Sequence, residues 1–366
     1  MPVAIVRRTD TAFVVQVQVP YKDSMLDAEE AIQQALNEAG VAATEETLKR
    51  FDADGEPIRL GPAKLTSMGQ VRKEDQTPYG VAAVDRHVYQ GSGGGRTYCP
   101  LDRNARIVVS STPRFAKIVS HKYAEFGATR VLEDLACNHG RRVAKAFVQD
   151  VADAVAAVAL AKEEAWEYEL PAFDEPVATV TVGLDGTCML MCEDGWREAM
   201  VGTLGFYNRA GERLHTVYTA ATPEYGKLTF FRRFDREVDR LKAAYPDALY
   251  VGLAAALIAD LETRGAALGK KRLPAEVDSA LTYFRNQVKG GRMNYAELVA
   301  RHIPIGSGVT EAACKVLVKQ RLCRSGMRWK ERGAAAVLSV RCLTYTPGRW
   351  EQFWARIDRS GFPVAA

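Results

Sequence analysis

The sequence predicts a mixed α/β protein, α+β overall, and three features predict it. A β-rich run at Val177–Thr187 precedes two more strand-like runs, a long amphipathic helical stretch and a short apolar strand. Residues 113–165 read as helical almost throughout. Residues 1–110 interleave alternating and helix-period segments. At 366 residues the chain has room for two or three domains.

Composition excludes some classes. Hydrophobic residues at 47% and charged residues at 26% suit a globular chain rather than a disordered one. The longest apolar run, Val151 to Ala161, falls short of the roughly 18 residues of a membrane span, so no membrane partner is expected. Met1 to Pro20 lacks the basic start, apolar centre and small-residue cleavage site of a signal peptide. The seven cysteines are scattered and read as reduced thiols of a cytosolic protein. Only Cys188 and Cys192 are close, and with no histidine beside them they read as packing residues. His87, His121, His139, His215 and His302 do not share metal-ligand spacing, which argues against zinc.

The net charge of +4 is unevenly spread. Residues 1–80 hold nine Lys/Arg against thirteen Asp/Glu, whereas 301–349 hold ten against two. A basic C-terminal third suggests a polyanion such as DNA or RNA, with a solvated Arg-rich helix as the alternative.

Taken in order, Val14–Val19 alternates like a strand, Asp27–Asn37 reads as an amphipathic helix ending at Gly40, and Thr77–Gln90 reads as strand and turn. The glycine run Gly91–Gly95 beside Arg96 reads as a flexible hairpin tip, since it lacks the Lys-Ser/Thr of a phosphate loop. Val131–Ala136 gives a short apolar face, Asn138-His139-Gly140 breaks it, and Arg141 to Phe147 restarts a helix. That pattern is a helix-turn-helix in which Arg141, Arg142 and Lys145 face DNA, or else a plain helical hairpin. Pro171–Pro176 reads as a linker.

The run from Val177 ends in Asp185-Gly186. Glu198–Tyr207 and Glu212–Ala220 follow as strands, Pro223–Tyr245 as a helix and Ala248–Leu253 as a strand. Three antiparallel strands, a helix and a parallel strand is the order of an RNase H-like core. Such a core presents an aspartate from its first strand. Hard cations take carboxylate oxygens, and two Mg²⁺ ions about 3.5–4 Å apart activate a nucleophile at a phosphodiester. Taken alone, an Asp-Gly after a strand is equally a turn.

In Ile303–Lys315, proline, glycines, Ser307 and Thr310 precede a long helical pattern, with Glu311 in its first turn. The helix dipole favours an acid there, and the last metal-binding carboxylate of such a nuclease also sits there. Lys315, Lys319, Arg321, Arg324, Arg328 and Lys330 follow and would grip phosphates. Trp329 would stack on a base or pack half-buried. Trp350 and Trp354, four apart, would pack a terminal helix onto the body.

In long blocks the chain resembles the ISKra-type insertion-sequence transposases, a bacterial group of DDE enzymes. The blocks are Arg96–Pro100, Ala105–Leu135 around Ser111–Lys117, Thr181–Thr187, Glu193–Gly202, Ala221–Lys227 and Pro304–Gly333. The resemblance implies a DNA transposase that binds the terminal inverted repeats of its element as double-stranded DNA. It implies cleavage by water and strand transfer by a 3′-hydroxyl, with two Mg²⁺ (or Mn²⁺) ions held by two aspartates and a glutamate. Asp185 matches the first aspartate and Glu311 the glutamate, so both are expected as catalytic and metal-binding residues.

The chain departs from the family between these two. The strand matching Tyr250–Ala254 should run directly into the second aspartate, but here Ala254 leads into Ala255-Ala256. An internal deletion after about residue 254 is expected, leaving a truncated RNase H-like sheet of four strands with an uncovered edge. Asp260, six residues past Ala254, would lie about 9 Å further along a helix, too far to replace it. The expected chain is a catalytically defective transposase, with a non-catalytic competitor for element ends as the alternative. It would be cytoplasmic and nucleoid-associated, alone, as a homo-oligomer or mixed with full-length transposase. The expected organisation is an N-terminal α+β module at 1–110, a helix-turn-helix segment at 111–170, the core at 177–346 and a tail at 347–366.

Overall fold

The computed structural model describes residues 3–253, 299–304 and 306–362. The chain is mixed α/β with several sheets and divides into two compact units, Met1–Val158 with Trp354–Ala366, and Ala159–Phe353. Among the described residues, no helix is long and apolar enough to cross a membrane.

The first unit opens with an antiparallel hairpin, β1 (Val3–Arg8) and β2 (Phe13–Val17). Helix α1 (Met25–Leu48) follows, its start capped by Ser24 Oγ accepting from Asp27 N at 3.1 Å. Gly40 does not end this helix as the sequence suggested. The Tyr79 ring lies against it, where a Cβ would collide, so the glycine serves close packing instead of a turn. A second sheet joins β3 (Ile58–Leu60), β4 (Ala63–Gln76) and β5 (Val81–Gly91). The glycine run caps a return in which Tyr89 and Tyr98 exchange backbone hydrogen bonds of 2.8 Å. Helices α2 (Pro100–Asn104), α3 (Pro113–Glu125), α4 (Ala128–His139) and α5 (Lys145–Lys162) follow.

The second unit is built on one four-stranded sheet. Strands β6 (Thr179–Met191), β7 (Gly195–Tyr207) and β8 (Arg213–Ala221) run antiparallel, helix α6 (Lys227–Ala244) crosses back, and β9 (Leu249–Leu253) pairs parallel to β6. The order is β8-β7-β6-β9. Because side chains alternate across a strand, β6 has two different faces. Val180 joins Leu204, Phe206 and Val217 beneath Phe234, Val238 and Leu241 of α6. Gly202 lets the Phe234 ring approach, at 2.6 Å from where a Cβ would stand.

The segment Pro171–Pro176 is not a free linker. The Phe173 ring centroid lies 5.9 Å from those of Phe206 and His215. Helix α7 begins as Gly308–Ala313, continues as a π-helical Cys314–Lys319 and closes with Gln320–Leu322. Helix α8 (Glu331–Tyr345) packs along β8 and buries Arg341, which reaches Val316 O and Tyr345 Oη. The expected tail contains helix α9 (Arg349–Ser360).

Candidate functional site

On the face of β6 opposite α6, Thr181, Gly183, Asp185 and Thr187 make a small and polar stretch that gives way to the buried Met189 and Met191. Helix α7 lies against this face. Thr310 Oγ1 is hydrogen-bonded to Thr203 Oγ1 at 2.7 Å, both residues being buried. A Cβ on Gly183 would collide with Thr310 Oγ1, so glycine at 183 is what admits the helix. One residue past Thr310 comes Glu311, and one turn further Cys314.

Asp185 sits two residues beyond Gly183 on the same face. Among the described residues, β9 pairs with β6 from Leu249 to Leu253, the last opposite Gly183. Asp185 Oδ1 accepts from Gly186 N at 2.7 Å and Oδ2 from the Cys314 thiol at 3.3 Å. Burial, then the Asp185 charge, pushes the Cys314 thiol up to about 12, with Glu311 adding and Lys319 opposing. The thiol therefore stays protonated and donates to the carboxylate. Glu311 is exposed and its Oε1 accepts from Ser307 Oγ. Ser307 occupies the capping position, but its hydroxyl turns to Glu311 instead of a backbone N–H, while its carbonyl accepts from Thr310 N and Glu311 N.

Sequence reasoning missed Gly183, Thr203 and Cys314, and read Thr310 only as part of a helix start. Two of these carry a readable signal: Gly183 is two before Asp185 on one strand face, and Cys314 is three after Glu311 on one helix face. The π-helical segment beginning at Cys314 has no signal in the residues. Such segments are rare and concentrate where a helix must meet a demanding neighbour.

The basic residues separate into two groups. Lys315, Lys319, Arg324, Arg328 and Lys330 are exposed on and beyond α7. Arg321 is not a surface contact: it is buried, with its guanidinium 5.2 Å from the Trp329 ring centroid. Trp329 packs half-buried. Its Nε1 donates to Leu322 O at 2.8 Å, its N donates to Leu190 O at 3.1 Å, and its O accepts from Cys192 N at 2.9 Å. These bonds fasten it to the end of β6.

Arg141 in the first unit likewise turns inward. Gly140 ends α4 in the left-handed conformation at φ 59°, and the Arg141 side chain then runs to Thr77 O at 3.0 Å and Gln76 Oε1 at 2.6 Å. It is buried, so it does not face DNA. Arg142 and Lys145 are exposed. Cys188 and Cys192 are also exposed, which corrects their reading as packing residues, and all seven cysteines are free.

Among the described residues, the donors do not fill a two-ion site. Two hard cations need a bridging carboxylate besides Asp185 and Glu311. Among the described residues no three His, Cys, Asp or Glu side chains gather around one point. Asp260 lies outside the described residues. No family model and no curated protein matches the chain.

Proposed function

We propose that this chain derives from a DDE transposase with an RNase H-like core, binds the ends of its own DNA element, and is catalytically defective because the second aspartate is missing. One observation carries the proposal. Asp185 lies on the polar face of β6 in a β8-β7-β6-β9 sheet, directly beneath the helix that bears Glu311. Three antiparallel strands, a helix and a parallel fourth strand along the chain support that reading. The resemblance puts an aspartate right after β9, where this chain has Ala254 and Ala255. With Asp185 and Glu311 alone, a single Mg²⁺ or Mn²⁺ would be held weakly.

The second reading, a non-catalytic competitor for element ends, is favoured by the exposed Lys315, Lys319, Arg324, Arg328 and Lys330. Those charges would hold phosphates whether or not a cation is bound.

The test is incubation of the purified chain with labelled duplex DNA carrying the element's terminal repeats, in Mg²⁺ and in Mn²⁺. The expected result is salt-sensitive binding without strand cleavage. Cleavage would refute the defect, and affinity equal to that for unrelated duplex would refute end recognition.

A further inference from the structure

Near the far end of β6, two cysteines from distant parts of the chain meet. Cys188 stands on β6, and Cys323 is the capping residue at the end of α7. The Cys323 thiol donates to the Cys188 carbonyl oxygen at 3.6 Å, across 135 residues of sequence. The chain that follows returns to the same strand, where Trp329 bonds Leu190 O and Cys192 N. Cys323 to Trp329 is therefore a turn fastened to β6 at both of its ends.

All seven cysteines are free, with Cys188 exposed and Cys323 half-buried. A dissolved oxidant thus reaches Cys188 directly. Its other neighbours cannot pair with it. Cys192 follows by four residues of extended chain, roughly 13 Å at the rise of a strand, whereas disulfides need Cα atoms within roughly 7 Å. Cys314 is buried, and its thiol is bonded to Asp185 on the opposite face of β6. Cys323 is placed differently. Strand carbonyls point sideways, along the hydrogen-bonding direction, so its sulfur lies beside the edge of β6, where a side chain from either face can turn to it. Burial raises the Cys323 thiol above its ordinary value; Lys319 opposes this and the nearby Cys188 charge adds to it. Cys323 has also left the helix, at φ −115° and ψ 26°, and Gly326 bends the turn at φ 76°. Closing a bond there does not require unwinding α7.

We propose that Cys188 and Cys323 form a disulfide when the chain meets a peroxide, stapling the turn after α7 to the sheet. The Cys188 thiolate attacks one oxygen of hydrogen peroxide, the O–O bond breaks, and Cys188 becomes a sulfenic acid as hydroxide leaves. Cys323 then loses its proton and attacks that sulfur; the S–O bond breaks and the oxygen leaves as water. Two thiols are oxidised and one peroxide is reduced to two waters. A small dithiol reverses the bond by exchange. The staple fixes a turn that carries the exposed Arg324 and Arg328. The inference does not rest on the transposase reading, because it is read on the protein alone.

The test exposes the reduced full chain to hydrogen peroxide, caps remaining thiols with N-ethylmaleimide, and maps tryptic peptides without reductant by fragmentation mass spectrometry. A Cys188–Cys323 cross-link should exceed every other pair by about tenfold or more and disappear with dithiothreitol. In urea that preference should vanish. Cys192→Ser should keep the cross-link. Cys323→Ser, and Cys323→Ala as its check, should lose it while Cys188 runs on to sulfinic acid. Circular dichroism of the variants should match the parent. Pairing of Cys188 with Cys192, pairing between chains, or an equal preference in urea would overturn the proposal. So would Cys188 in the parent reaching sulfinic acid as fast as in a folded Cys323 variant.

Discussion

The two faces of β6 belong to one strand, yet they are built for different ends. Toward α6, Val180 and its β7 neighbours Leu204 and Phe206 pack with Phe234 and Leu241, and even His215 is enclosed among rings. Toward α7, Thr181, Gly183, Asp185 and Thr187 are small or polar, and a threonine pair and a thiol bond the helix to the sheet. One face makes the sheet stable. The other places a carboxylate under a helix start.

The largest effect should come from the apolar face. Phe206→Ala removes a fully buried ring and should cost about 3–5 kcal/mol, read as a lower urea midpoint. A loss under about 1 kcal/mol would mean this face is not the one that holds the unit together.

His215 sharpens the same contrast through pH. Burial, with Arg349 adding, lowers its pKa from an ordinary 6.5 to about 4. The unfolded imidazole takes up its proton near pH 6.5 and the folded one only near 4. The stability it contributes is therefore full above about pH 6.5 and falls as pH drops through 4, by roughly 3 kcal/mol in all. His215→Gln should flatten that limb of a stability–pH curve; an unchanged limb would assign the acid sensitivity elsewhere.

On the polar face, Gly183→Ala should cost about 1–3 kcal/mol by pushing Thr310 and its helix away from the sheet. Pairing it with Thr310→Ser should recover little, since the serine hydroxyl sits where the threonine hydroxyl did. Pairing it with Thr310→Gly should recover part. Thermal unfolding of the three variants tests the order.

Much of the sheet was legible. The β-rich run from Val177 and the short apolar strand read at Ala248–Leu253 located β6 and β9, and Asp185 stood out as an acid closing the first run. Glu311 was legible from its place in a first helical turn. The fates of the arginines were not. Arg141 and Arg321 read as DNA contacts because charge counts record the head group, whereas their long stems carry it inward to carbonyls or onto a ring. Helix α1 ran through Gly40 because Tyr79, distant in sequence, fills the space a side chain would take. Such a tertiary contact has no local signature. Cys314 was overlooked for the same reason: its partner is 129 residues away.

The central claim is that Asp185 and Glu311 face one cation pocket. Replacing Mg²⁺ with Fe²⁺ and adding ascorbate and peroxide cuts backbone next to the bound ion. The account predicts paired cuts beside Asp185 in β6 and at the start of α7 near Glu311, both suppressed by excess Mg²⁺ and by Asp185→Asn. Cuts at only one of the two places, or cuts that persist in Asp185→Asn, would contradict it.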